Sequence, residues 1–74
     1  MRRNGDDLEV SWEKALDNTL TAFYRIHAGR ELVAESHQLR VTMKASAVGD
    51  AWLTVVAVDL YGNAGLPSAP ARIP

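Results

Sequence analysis

The chain has no cysteine and only two histidines. No disulfide or thiolate metal site can brace it, and a zinc site would have to draw on carboxylates. It has no long apolar run. The longest, Val55 to Val58, falls far short of the ~20 residues that span a bilayer. It also lacks an excess of one charge, with eight basic against nine acidic residues and a net charge of −1. The basic stripe that nucleic-acid binding requires is missing, and Arg2-Arg3 reads as a solvated end. Polar residues, not the apolar segment of a secretory leader, follow Met1. Neither nucleic acid nor membrane insertion is expected.

What remains to stabilise 74 residues is a packed core, in one domain over residues 1–74. A chain of this size buries only about 60–65% of the surface its unfolded form exposes, so each core side chain matters. Turn chemistry recurs at short intervals, at Asn4-Gly5-Asp6-Asp7, Asp17-Asn18-Thr19, Ala28-Gly29-Arg30, Val48-Gly49-Asp50 and Gly62-Asn63-Ala64-Gly65. Between the turns, residues alternate with period two. Leu8, Val10 and Trp12 share one face, as do Tyr24, Ile26 and Ala28, then Leu39, Val41 and Met43, then Leu53, Val55 and Ala57. Period two marks half-buried strands. A weaker strand is expected over Leu32-Val33-Ala34. A last one, over Ala71 to Ile73, is confined to a sheet edge by Pro70 and Pro74. The expected core is Leu8, Val10, Trp12, Tyr24, Ile26, Leu39, Val41, Leu53, Val55 and Ala57.

A helical alternative exists for one stretch. Trp12, Leu16 and Leu20 recur every four residues behind a capping Ser11. Asp17-Asn18-Thr19-Leu20-Thr21 carries four poor helix formers, which favours strand–loop–strand.

Several of these strings resemble a fibronectin type III domain of bacterial type. Leu8-Glu9-Val10-Ser11-Trp12 is similar to its strand B, and Phe23-Tyr24-Arg25-Ile26 to strand C. Gly29 to Ala34 resembles the hairpin that follows. Val55 to Asn63 resembles strand F with the F–G loop, and Ser68-Ala69-Pro70-Ala71 the entry to strand G. The order is right along nearly the whole chain. The departures are a missing or truncated strand A, Ala51 in place of the strand-F tyrosine, and no proline in the segment Lys44 to Val48. The resemblance implies an all-β, immunoglobulin-like antiparallel sandwich of six or seven strands. It also implies a non-catalytic accessory module that spaces or docks within a larger multidomain protein. Bacterial examples accompany secreted carbohydrate-active enzymes or surface proteins, so an extracellular, cell-surface or periplasmic location is implied. Without strand A, the edge of strand B is expected to be unpaired and open to self-association.

Catalytic signatures such as G-x-S-x-G, H-E-x-x-H, G-x-G-x-x-G and the P-loop are absent. No acid–base pair is evident, so an enzyme reading survives only for a site completed by another chain. No cofactor is expected. His27 and His37 read as surface histidines. Asp6, Asp7 and Glu9 read as a turn bonding its own backbone rather than as a calcium site. Asp59, before Tyr61-Gly62-Asn63, reads as a residue that fixes the loop backbone.

One feature resists a purely structural explanation. Trp52, Val56 and Val58 are apolar on the face that alternation turns away from the core, where a solvated sheet is polar. Phe23 and His27 join them from strand C, and Tyr61 follows in the loop. Such a patch usually marks a contact surface. Three explanations stand: docking onto a neighbouring domain or a second copy of the chain, glycan binding on a Trp52–Phe23 face with Tyr61, or a register displaced by one residue that places these side chains in the core.

Overall fold

The computed structural model describes residues 1–13 and 21–74. Six strands and one short helix follow in order: β1 (Arg2–Asn4), β2 (Asp7–Ser11), β3 (Thr21–Ala28), β4 (Glu31–Ser36), β5 (Arg40–Lys44), α1 (Ala45–Val48) and β6 (Leu53–Asp59). They form two antiparallel sheets of three strands, β1-β2-β5 and β4-β3-β6. The fold is thus all-β, and the alternation that foretold it reflects the pleat. The stretch carrying the helical alternative lies largely outside the described residues.

The register explains which side chains meet. Val10 opposes Val41, and Leu8 opposes Met43. In the other sheet Ala28 opposes Leu53, Ile26 opposes Val55 and Tyr24 opposes Ala57. Directly opposed residues of antiparallel strands point to the same side, so these rows are the two inner faces. They contribute to one apolar cluster, with Leu8, Val10, Ile26, Ala28, Ala45, Val48 and Leu53 buried in it and Trp12, Val41 and Val55 packed against it. Leu8 and Ile26 are completely buried, each contributing about 1.5–3 kcal/mol of apolar transfer.

Residues 64–73 run back along the free edge of β6. Gly65 N–H donates to the Ala57 carbonyl (2.9 Å) and Ser68 N–H to that of Val55 (2.8 Å). Leu53 and Ala71 exchange both backbone bonds, at 2.8 and 2.9 Å. Pro67 and Pro70 in this segment cannot extend a ladder, so the edge it leaves is a poor template for another chain. The opposite edge, β4, carries a bulge: Ile26 pairs with Ala34 and His27 with Leu32, so Val33 has no partner and turns into the core cluster. Bulged edges resist strand addition.

Three expectations need correction. The first concerns strand A. Arg2–Asn4 pair with Asp7–Glu9 as β1, so β2 has a neighbour on each side and no unpaired edge. Three residues after Met1 are too few for periodicity to register, yet enough to satisfy a ladder across the Gly5 turn. The second concerns Leu39, which is 40% exposed. It lies in the bend before β5, where its carbonyl accepts the Trp12 N–H at 3.0 Å, so its backbone is used and its side chain is not. The third concerns Asp6. Its carboxylate does not serve its own turn. Oδ1 accepts the Ser46 N–H and Oδ2 the Ser46 hydroxyl, both at 2.9 Å, while its carbonyl accepts the Ala45 N–H at 2.7 Å. Asp6 therefore supplies the first turn of α1 with the partners that Lys44, at the N-cap position, does not provide.

Candidate functional site

The two outer faces differ in kind. On β1-β2-β5 the outward rows are Arg2, Glu9 and Thr42, then Asn4, Asp7 and Lys44, and all are exposed. Lys44 and Asp7 form an ion pair at 2.6 Å. Opposite charges face each other across strands, as on an ordinary solvated sheet. On β4-β3-β6 the outward rows pair Phe23 with Val58, Arg25 with Val56 and His27 with Thr54. The register is the one that alternation implied, not displaced by one residue.

Yet Val56 is 8% exposed and Val58 1%. They cannot present a solvent-facing contact surface, which corrects the expectation for these two residues. Long cross-strand neighbours explain part of the cover. The Arg25 guanidinium lies 5.3 Å from the Phe23 ring centre and reaches Glu35 at 3.5 Å. The His37 ring sits 6.0 Å from that of Phe23. An aromatic–cation layer thus crosses this end of the sheet. Phe23 and His27 are half-buried.

The accessible members of the expected face are Trp52, at 50%, and Tyr61, at 80%. They stand at opposite ends of β6, which separates them by its seven residues, more than about 20 Å. Phe23 opposes Val58, so Trp52 is also about 20 Å from Phe23 along the strand. Trp52, Phe23 and Tyr61 therefore do not form a single stacking platform for a sugar ring. The Arg72 guanidinium lies 5.4 Å from the Trp52 ring centre, placed there by the Leu53–Ala71 pairing. Arg25 and Arg72 were missed as partners of this face. Arg25 was legible in principle, two residues from Phe23 on the same side of a strand. Arg72 required knowledge of which strand the C-terminal segment joins.

The loop after β6 is tied down by one carboxylate. Asp59 Oδ1 accepts the N–H of Tyr61 (2.9 Å) and of Asn63 (2.8 Å), and Oδ2 accepts the Asn63 amide at 3.3 Å. Gly62 takes a φ of 84°, in the left-handed region that favours glycine. The backbone N–H of Asn63, more than that of Tyr61, holds the Asp59 carboxyl below its ordinary value against the opposing effect of desolvation. The loop fixes Leu60 and Tyr61 in water, 67% and 80% exposed.

A concave feature lies where the inner faces reach the C-terminal segment. Trp12, Glu13, Tyr24, Val55, Ala57, Leu66 and Ser68 line an open cleft of about 190 Å³. Tyr24 meets Trp12 edge-on, with ring centres 5.4 Å apart and planes at 63°. The Trp12 indole nitrogen is buried without a hydrogen-bond partner. Sequence reasoning assigned Trp12 and Tyr24 to the core and did not see that their contact leaves a notch.

Among the described residues, no three His, Cys, Asp or Glu side chains gather to hold a metal ion, and no helix is long and apolar enough to cross a membrane. No protein-family model matches the chain, nor does any curated protein or solved structure.

Proposed function

We propose that this chain is a non-catalytic accessory module of immunoglobulin-like, fibronectin type III-like architecture that docks against a neighbouring domain of a larger, secreted or surface-exposed protein. The strand order supports the architecture. A sheet β1-β2-β5 shares an apolar cluster with a sheet β4-β3-β6, and residues 64–73 join the free edge of β6. That arrangement supports an immunoglobulin-like sandwich. The observation that carries the docking reading is the contrast between the outer faces: one is a lattice of opposed charges, the other carries Phe23, Val56 and Val58 beside an arginine–aromatic layer and ends in a half-exposed Trp52. With Val56 and Val58 buried, the contact would centre on Trp52 and its Arg72 neighbour, a tryptophan–arginine pair of the kind enriched at interfaces.

The test compares the accessibility of Trp52 in two settings. In a Trp12→Phe background, acrylamide quenching reports Trp52 alone. Docking predicts strong quenching in the 74-residue chain and weak quenching once the flanking domains of the parent polypeptide are restored. Equal quenching in both settings contradicts the reading. Sedimentation of the chain alone separates the other occupant: a dimer dispersed by Trp52→Lys would indicate that a second copy takes the place of the neighbouring domain.

A further inference from the structure

We infer that the cleft between Trp12, Tyr24 and Leu66 is a binding site for a small organic cation of the methylated-ammonium class. Two aromatic rings and the apolar side chains of Val55, Ala57 and Leu66 form most of its wall. Its volume of about 190 Å³ is comparable to the ~150 Å³ that holds a benzene ring in an apolar cavity, enough for a trimethylammonium head and a short tail.

Among the described residues its polar lining is sparse. The Ser68 hydroxyl oxygen accepts the Val55 N–H at 2.9 Å and is held within the local backbone. Among the described residues, Glu13 is the only charged one in the wall. An apolar guest would leave that carboxylate at its rim without benefit, and an anionic guest would be repelled by it. A cation with an apolar coat satisfies both elements. Its methyl groups fill the notch beside Trp12 and Tyr24, and the Glu13 carboxylate in the same wall complements its charge. The geometry holds the rings ready: Tyr24 is 7% exposed and packs edge-on against Trp12, so little ordering accompanies binding. The site is separate from Trp52, which alternation along β6 places on the other face of the sheet from Val55 and Ala57.

Choline and its neutral carbon isostere 3,3-dimethylbutan-1-ol separate charge recognition from filling of a greasy notch. Proton–nitrogen NMR of the intact chain resolves both indole N–H signals, assigned with Trp52→Phe. Choline at millimolar concentration is expected to shift the Trp12 indole and the Leu66 amide and leave the Trp52 indole in place. The neutral alcohol should bind about three- to tenfold more weakly, and Glu13→Gln should weaken choline by a similar factor. Glu13 is exposed, so this variant leaves the core intact. A trimethyl-lysine peptide in the same titration distinguishes a modified side chain from a free small molecule as the source of the cation. Equal binding of the alcohol, indifference to Glu13→Gln, or no shift of Trp12 with choline in the tens of millimolar would overturn the assignment.

Discussion

Val58 is the residue at which simple alternation and the folded protein disagree most sharply, so its replacement by threonine is informative. The two side chains have the same shape, and only a methyl becomes a hydroxyl. Val58 is 1% exposed, so the hydroxyl would be desolvated, at a cost of about 1–3 kcal/mol without a partner. Val58→Ala instead removes two methyl groups, about 1.6 kcal/mol of transfer free energy at ~0.8 each, plus the cost of any cavity that fails to collapse. A chain this short has a total stability of roughly 4–11 kcal/mol at 0.05–0.15 per residue. With a urea m-value near 1 kcal/mol/M, either substitution should lower the unfolding midpoint by about 1–3 M, followed by tryptophan fluorescence. Leu66→Thr is the control, because Leu66 is 93% exposed and its change should stay within about 0.5 kcal/mol. If Val58→Thr leaves both midpoint and slope at the wild-type values, the outer face of β6 is wet and the burial argument is wrong.

Three further outcomes are expected. Gly49 closes α1 with φ 60° and ψ −132°, and a Cβ there would meet nothing within 4 Å. Gly49→Ala therefore costs backbone strain alone, about 1–3 kcal/mol, and should lower Tm by at least about 4 °C, whereas D-alanine at the same position should restore it. The Asp59 carboxyl titrates below its ordinary value, so its hold on the loop is complete above the unfolded value and is lost as pH falls through the folded one. Protection of the Tyr61 and Asn63 amides from exchange, relative to their intrinsic rates, should fall selectively once pH drops below the ordinary Asp value of ~4, and Asp59→Ala should remove it at every pH. The Asp7 hydrogen bond, reinforced by its charge, raises the Lys44 ammonium above its ordinary value, so the pair stabilises below that value and fails as pH rises through the raised one. Both side chains are more than 60% exposed, so a double-mutant cycle on Asp7 and Lys44 should give a coupling that vanishes in about 1 M salt, where screening acts within ~3 Å.

Much of the architecture was legible because the pleat imposes period two. The inner rows of β2, β3 and β6 follow from alternation alone, and Asp59 was recognisable as a loop anchor from the turn residues behind it. Interactions distant in sequence were not legible. α1 is one turn, held by Asp6 from 40 positions away, a spacing no local pattern encodes. β1 is too short to show a period. Val56 and Val58 stand opposite Arg25 and Phe23, long side chains that alternation does not weigh, so alternation gave their face correctly and their exposure wrongly. Alternation joins the candidate face into one patch, because it records the side of a sheet and says nothing about distance along it. Trp52 and Tyr61 were grouped for that reason, although the length of β6 separates them.

The arrangement of strands is tested most directly by cross-strand NMR contacts. Pairing of β2 with β5 and of β3 with β6 predicts contacts between Val10 and Val41 and between Ile26 and Val55, with none between β2 and β3. A ladder joining β2 to β3, the neighbour that follows it in sequence, would contradict the two-sheet arrangement and everything derived from its faces.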